Sequence, residues 1–447
     1  MANISVIGAG IGGMSAAARL AKAGHQVTVY ENSDRAGGKC RTEWFGDYAF
    51  DTGPSLLTLP AVYRDLFLKT GKRIEHILDI KPVDPAFNYH FSDGSSVVFP
   101  NLSNPNTYAE IEKSYGVAAS NQWKENINRA ERMWEVSREP FIESELKSIF
   151  SLLKRRSLLR DVKEIAPFTS LRKLSEKIKL DPHLQMIVDR YATYTGSDPR
   201  SAPAVLLTIA FVESTFGAWH IQGGVGQLSV ALEQRCIELG VNFKFNTLVK
   251  EILINNNKTT GIKTIDGVEI KSDLVVANSD AEYIYNQLIS KNVSAARSER
   301  RKLKLATKSL SGFSLLLGLD NSKGKAVSID HHNVYFPSNY DSEFDEEEDL
   351  FEEESKIELD EDEYINEVKH RGRTVHLSRP FRTPGGPKKF AVYVRSKAGK
   401  IKKVTFGDPN MRIRVSSKSR RKSFRARHKC DQKKDRTTAG YWSCRNW

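Results

Sequence analysis

Residues 3–31 constrain the fold more than any other stretch of this 447-residue chain. NISVI (3–7) reads as a short buried strand. Gly8-Ala9-Gly10-Ile11-Gly12-Gly13 follows, then MSAAARLAKAG with helical periodicity and Gly24 as the helix stop. HQVTVY is a second strand, ending at Glu31-Asn32. Gly8 permits a tight turn, Gly10 lets a pyrophosphate approach the backbone, and Gly13 lets helix and strand pack closely. The helix start offers unpaired N–H groups and a positive dipole end to phosphates. Glu31 offers its carboxylate to ribose hydroxyls. A glycine triplet alone is weak, but strand, turn, helix, strand and acid in about 30 residues predict a dinucleotide site in an α/β, Rossmann-like domain.

The next segment favours FAD over NAD. Gly37-Gly38-Lys39 and Arg41 come first, then WFGDYAF, read as one aromatic-rich strand, then Asp51-Thr52-Gly53-Pro54-Ser55. The second glycine pair lets backbone pass close to a bulky, extended cofactor. A cation there faces the diphosphate or the flavin edge.

The rest of the body alternates between cofactor-like and substrate-like segments. Residues 61–180 are mostly helical, with strand-like patches near 87–99. Gly223-Gly224-Val225-Gly226 opens a helix to about Leu239, residues 241–255 alternate as a strand, and 261–280 supply a hairpin and a buried strand. This divides the chain into a cofactor domain (1–60 and 220–280) and an inserted substrate domain (61–219 and 281–344). The strongest apolar run, AVLLTIAFV at 204–212, falls short of the roughly 18 residues a membrane span needs and reads as a buried helix or cavity wall. Phe211, Phe216 and Trp219 extend that wall. No basic residue precedes Arg19, so the N-terminus is not a signal peptide. Four cysteines exclude a disulfide scaffold and suggest a reducing cytosol. His220, His331 and His332 read as isolated polar positions, and no catalytic acid or base stands out.

VIGAGIGGMSAAARLAKAGHQVTVYENSDRAGGKC and FDTGPSLLTLP resemble the bacterial-type phytoene desaturases and their carotenoid-oxidising relatives, flavoproteins of the amine-oxidase-like superfamily. The resemblance continues through TYTGSDPRSAPAVLLTIAFVE, WHIQGGVGQLSVALEQRCIELG, NFKFNTLVKEI, SDLVVANSDAEYIY, FSLLLGLD and HHNVYFPSNYDSEFDE. It implies FAD, with the Val249 backbone against the adenine. It also implies hydride removal from a long polyene delivered from a membrane, by a cytoplasmic protein touching that membrane peripherally. Amine or porphyrinogen oxidation is the alternative within the superfamily. Members of the family continue for roughly 150 residues past the equivalent of Asp345, so the substrate domain is expected to be incomplete and catalysis weak.

Charge divides the chain differently. Residues 341–368 hold 16 acidic residues against one lysine, and 369–447 hold 25 Lys/Arg against three aspartates. The overall +13 therefore belongs to no single part. The acidic strip (345–365) reads as a solvated linker. The tail (366–447) reads as a small basic α+β module: TPGGP turn, strand KKFAVYVRS, turn KAGK, strand IKKVTFGDP, basic helix KSRRKSFRARHK and a final loop. Its cations interleaved with aromatics suit nucleic acid or an acidic protein. His428, Cys430 and Cys444 supply three zinc ligands, with His370 or His376 as a fourth, but paired CxxC units are missing and unpaired cysteines are favoured. The tail is similar to small basic proteins of large contractile-tailed marine phages. Two unrelated units thus meet near 345–365, as a viral or mobile-element fusion or a join of separate sequences. In the fusion reading, a nucleic-acid-binding module carries an inert flavoprotein fragment.

Overall fold

The computed structural model describes residues 1–139, 158–318, 329–345, 367–370, 373–377, 380–383, 387–396, 400–408, 427–433, 435 and 437–445. The chain forms two units, Met1–Glu347 and Glu348–Trp447.

In the first unit the chain opens with β1 (Asn3–Ile7), α1 (Ile11–Lys22) and β2 (Gln26–Tyr30). Gly24, at φ +91°, ends α1 with its N–H on the Ala21 carbonyl, a left-handed stop that glycine adopts without a Cβ clash. A hairpin follows, β3 (Thr42–Phe45) and β4 (Tyr48–Asp51), where a single aromatic strand was expected. Gly46 at φ +61° makes the reversal. Next come α2 (Pro60–Thr70), β5 (Ile80–Pro82) and the hairpin β6 (Phe87–His90) and β7 (Ser96–Phe99). The helical stretch is α3 (Asn104–Arg138, kinked at Gly116), α4 (Leu158–Ile165), α5 (Leu171–Ile178), α6 (Pro182–Arg190) and α7 (Thr208–Phe216). Then come β8 (Trp219–Ile221), α8 (Gly226–Glu238), β9 (Asn242–Lys244), β10 (Val249–Asn255), β11 (Lys258–Thr264), β12 (Glu269–Lys271), β13 (Leu274–Ala277), α9 (Arg297–Leu305) and β14 (Asn333–Tyr335).

The parallel sheet runs β13-β1-β2-β9, with helices α1 and α8 packed together on it. Its core is the apolar side of β1 and β2 (Ile4, Val6, Val27, Val29) against Met14, Ala17, Leu228 and Leu232. The expected strand at 241–255 is two strands in two sheets. After β9 the chain turns at Asn246 (φ +51°), and the N–H groups of Asn246 and Thr247 bond back to Ser33 and Glu31 carbonyls. β10 then leaves to form the antiparallel sheet β10-β11-β12.

A second core is separate. β14 returns beside β6 in parallel, giving the sheet β14-β6-β7. Phe87, Tyr89 and Phe99 pack there with Trp123 from α3, Tyr191 and Phe336. The run 204–212 is a 3-10 turn (Ala204–Leu207) leading into α7, and its buried side chains join this core.

In the second unit β15 (Glu367–His370) pairs with β16 (Arg373–His376), and β17 (Phe381–Arg382), β18 (Phe390–Arg395) and β19 (Ile401–Phe406) form an antiparallel sheet. One sheet face packs Val392, Val394, Val404 and Phe406 on Trp442 of α10 (Ala439–Arg445), where a loop was expected. Cys430 and Cys444 form a disulfide, which replaces both expected readings, unpaired thiols and zinc ligands with His428. Among the described residues no group of three or more His, Cys, Asp or Glu could hold a metal. Cys40 and Cys236 stay buried thiols. Residues 418–426 of the expected basic helix, most of the acidic strip and the centres of the TPGGP and KAGK turns lie outside the described residues.

Candidate cofactor and substrate site

Gly8 and Gly13 are glycines because neighbouring backbone leaves no room for a side chain, whereas Gly10 and Gly12 face only the Asn278 side chain. A Cβ at Gly13 would run into the Gly8 carbonyl oxygen, and one at Gly8 would lie 2.7 Å from the Asn278 carbonyl oxygen. α1 therefore starts directly off the end of β1. Gly10 caps it in an extended conformation with no side-chain bond of its own. Asn278, just after β13, does that work: its Oδ1 accepts from Gly13 N at 2.8 Å. Ile11 and Gly12 occupy the same first turn, Gly12 exposed.

The second glycine pair comes to the first. Gly10 and Gly37 form a parallel bridge, and Gly37 N donates to the Ala9 carbonyl at 2.9 Å. Gly53 packs on the Lys39 backbone so closely that a Cβ would overlap the Lys39 carbonyl oxygen. Gly38, Lys39, Gly53, Pro54 and Ser55 are all exposed around this cradle. Arg41 Nε bonds Glu43 at 2.6 Å.

Glu31 sits at the end of β2 facing the turn. Its Oε2 accepts from Ala9 N at 2.7 Å and its Oε1 from Ser33 N at 2.9 Å. Asn32 beside it is exposed. Val249, 3% exposed, packs with Ile7 and Tyr30 at the carboxyl ends of β1 and β2. These residues thus converge on the carboxyl ends of β1 and β2, where dinucleotides bind in such sheets.

Asp51 was not singled out in the sequence, yet it joins two parts of the site. Its carboxylate accepts from Val225 N at 2.6 Å, Gly226 N at 3.2 Å and the Thr42 hydroxyl at 2.8 Å. It thereby caps α8, whose own N-cap residue, Val225, makes no side-chain bond.

Across the second core runs a buried polar network. Arg190 Nη2 reaches Glu213 at 3.2 Å and the Tyr89 hydroxyl at 3.0 Å, and the Tyr194 hydroxyl donates to Glu213. The Glu213 side chain is only 6% exposed. The Arg190 guanidinium lies 4.9 Å from the Phe87 ring centroid and 5.2 Å from that of Tyr191. Burial pushes the Tyr89, Tyr191 and Tyr194 hydroxyls well above their ordinary range, so all three stay protonated. The histidines expected to be isolated are joined: His331 Nε2 lies 3.1 Å from His220 Nδ1, and His331 Nδ1 lies 3.2 Å from His332 Nδ1. Burial, then the nearby His331 and Arg190, push His332 down to about 4. Phe211 and Phe216 pack edge-on to each other and both lie tilted against Trp134, and Trp219 Nε1 donates to the Phe216 carbonyl.

A sequence profile described as "Flavin containing amine oxidoreductase" matches residues 11–304, about two thirds of the chain. This chain belongs to the flavin-containing amine oxidoreductase family. A phytoene desaturase from Neurospora crassa is 30% identical over 348 residues, covering 76% of this chain and 58% of that one. A 1-hydroxycarotenoid 3,4-desaturase from Flavobacterium sp. is 31% identical over 350 residues, covering 76% and 67%. This chain thus spans about three fifths to two thirds of the length of these curated relatives. Among solved structures, a putrescine oxidase bound to putrescine aligns with TM-score 0.46 at 17% identity, covering 65% of this chain and 60% of that one.

FAD is the cofactor of this flavin-containing family, and the cradle fits it. Two glycine loops meet without side chains between them, an acceptor carboxylate sits at the β2 edge, and a helix start faces outward. Glu31, Gly10–Gly13 and Gly37–Lys39 were legible locally. Asp51 and Asn278 were missed because their partners lie 175 and 265 residues away. Their only sequence sign was an acid and an amide directly following strands.

Proposed function

We propose that this chain acts on a long polyene as a desaturase of the carotenoid type. The observation that carries the reading is the extent of the likeness to carotenoid desaturases: it runs over 348–350 residues and covers 76% of this chain, far more than a nucleotide turn alone. FAD, when bound, accepts the hydride taken from an allylic carbon. The protein's share is positioning. Glu31 would hold the ribose, the N–H groups of Ile11 and Gly12 the diphosphate, and the Val249 backbone the adenine. The apolar wall of Phe211, Phe216 and Trp134 would align the chain of the substrate and exclude water, while the Arg190–Glu213 pair fixes the wall behind it.

The substrate would arrive from a bilayer. Among the described residues no helix is long and apolar enough to cross a membrane. One surface nevertheless suits contact. Trp44, Phe45 and Tyr48 are exposed at the β3–β4 hairpin, and Gly318 lies against the Tyr48 ring at the end of an extended stretch whose Phe313 is 90% exposed. Basic helix α9 precedes that stretch.

The test is to purify the full chain, measure bound flavin by absorbance, and follow phytoene in liposomes by chromatography with a quinone as electron acceptor. Products with additional conjugated double bonds support the reading. Flavin-loaded protein that turns over putrescine but no polyene overturns it.

A further inference from the structure

The sheet β17-β18-β19 has two unlike faces. Alternation along the strands sends Val392, Val394, Val404 and Phe406 to the face covered by Trp442. The opposite face carries Phe381, Tyr393, Lys403 and Arg395. Phe381 and Tyr393 lie nearly parallel, with ring centroids 5.8 Å apart and 18° between the planes. Lys403 Nζ sits 5.6 Å from the Phe381 centroid and 5.9 Å from that of Tyr393. Phe381 is 40% exposed and Tyr393 half-buried, and Arg395 and Lys403 on the same face are exposed. No acidic residue occurs on these three strands.

We propose that this face binds single-stranded nucleic acid. Two adjacent aromatic rings give stacking surfaces that any base can use, and the cations beside them match the phosphates of a strand crossing the sheet. Lys403 shields the rings in the free protein and moves to phosphate when a base takes its place. An acidic protein would use the cations but has no need of the ring pair, and a duplex buries the base faces that the rings would stack on. The rings therefore favour a single strand over both.

Fluorescence anisotropy of the full chain with a labelled 12-nucleotide oligo(U) RNA, the matching oligo(dT) and a 12-base-pair duplex tests this, over a salt series. Expected are tighter binding of both single strands than of the duplex and log affinity falling linearly with log salt. Phe381→Leu and Tyr393→Leu should each weaken single-strand binding at least about fivefold. Lys403→Gln should lower the salt slope by about 0.7. Should Tyr393→Leu unfold, ultraviolet crosslinking of oligo(dT) to the parent chain, mapped by mass spectrometry, replaces it, with crosslinks expected at Phe381 or Tyr393. Equal affinity for duplex, unchanged affinity in folded ring variants, crosslinks confined to α9, or binding of polyglutamate in place of both oligonucleotides would each overturn the proposal. A preference for RNA or for DNA would identify which strand the face takes.

Discussion

At the scale of residues, the decisive contacts are those a single atom would spoil. Gly13→Ala places a methyl group in the Gly8 carbonyl, and α1 must shift away from β1. Overpacking of this kind costs about 1–3 kcal/mol, so FAD retention should fall by about tenfold or more. Titrating apoprotein with FAD by flavin fluorescence checks it, with Gly12→Ala, facing only the Asn278 side chain, as a milder control. Arg190→Met leaves Glu213 buried without its cation. Breaking one side of such a pair costs about 3–5 kcal/mol, and the double variant Arg190→Met/Glu213→Gln should recover much of that loss in urea unfolding. If the single and double variants are equally unstable, the pair is not coupled as described.

At the scale of elements, α8 begins on a borrowed cap. Asp51→Ala removes the acceptor for Val225 N and Gly226 N and should cost about 1–2 kcal/mol, whereas Asp51→Asn keeps an acceptor and should cost less. Thermal unfolding and flavin release should move together, because the same carboxylate joins β4 of the cofactor cradle to that helix. The sequence could be read where its meaning was local. Gly8 to Gly13 and Glu31 lie within one strand-helix-strand unit, and the structure forms it as expected. Asp51, Asn278 and the His220–His331 contact depend on chain segments 111 to 265 residues apart, which periodicity cannot join. The stretch 241–255 misled because both of its strands alternate. Only the left-handed Asn246 and the bonds of 246–247 to 31–33 divide it between two sheets. Cys430 and Cys444 likewise gave spacing without geometry, and their Cα atoms turn out 5.4 Å apart.

At the scale of the whole molecule, acid should loosen the second core, where His332 packs on Phe87. His332 titrates near 4 in the folded chain, against an ordinary 6.5. Between those values the unfolded chain binds a proton that the folded chain refuses. Its contribution is therefore complete above about pH 6.5 and is lost as pH falls toward 4, at most ~3 kcal/mol. Asp189, pushed up to about 7 by burial despite Arg172 beside it, slopes the opposite way across much of the same range. The difference between parent and His332→Phe unfolding curves from pH 4.5 to 7.5 isolates the histidine. It should shrink as pH falls, and a difference that stays constant with pH would mean His332 is not held neutral.

The central position of β1 also governs how the protein is made. Ile4 pairs with Val27 on one side and with Leu274 on the other. While the ribosome extends the chain, the first of these pairings can form early, but the second waits for some 240 further residues. At roughly 5–20 residues per second that is about 12–50 seconds. Throughout it, a strand of Ile, Val and Ile has one open edge in a crowded cell. The nucleotide turn is thus among the first parts synthesised and among the last to acquire its full shape. Chaperone occupancy on nascent chains should persist until residue 277 clears the exit tunnel.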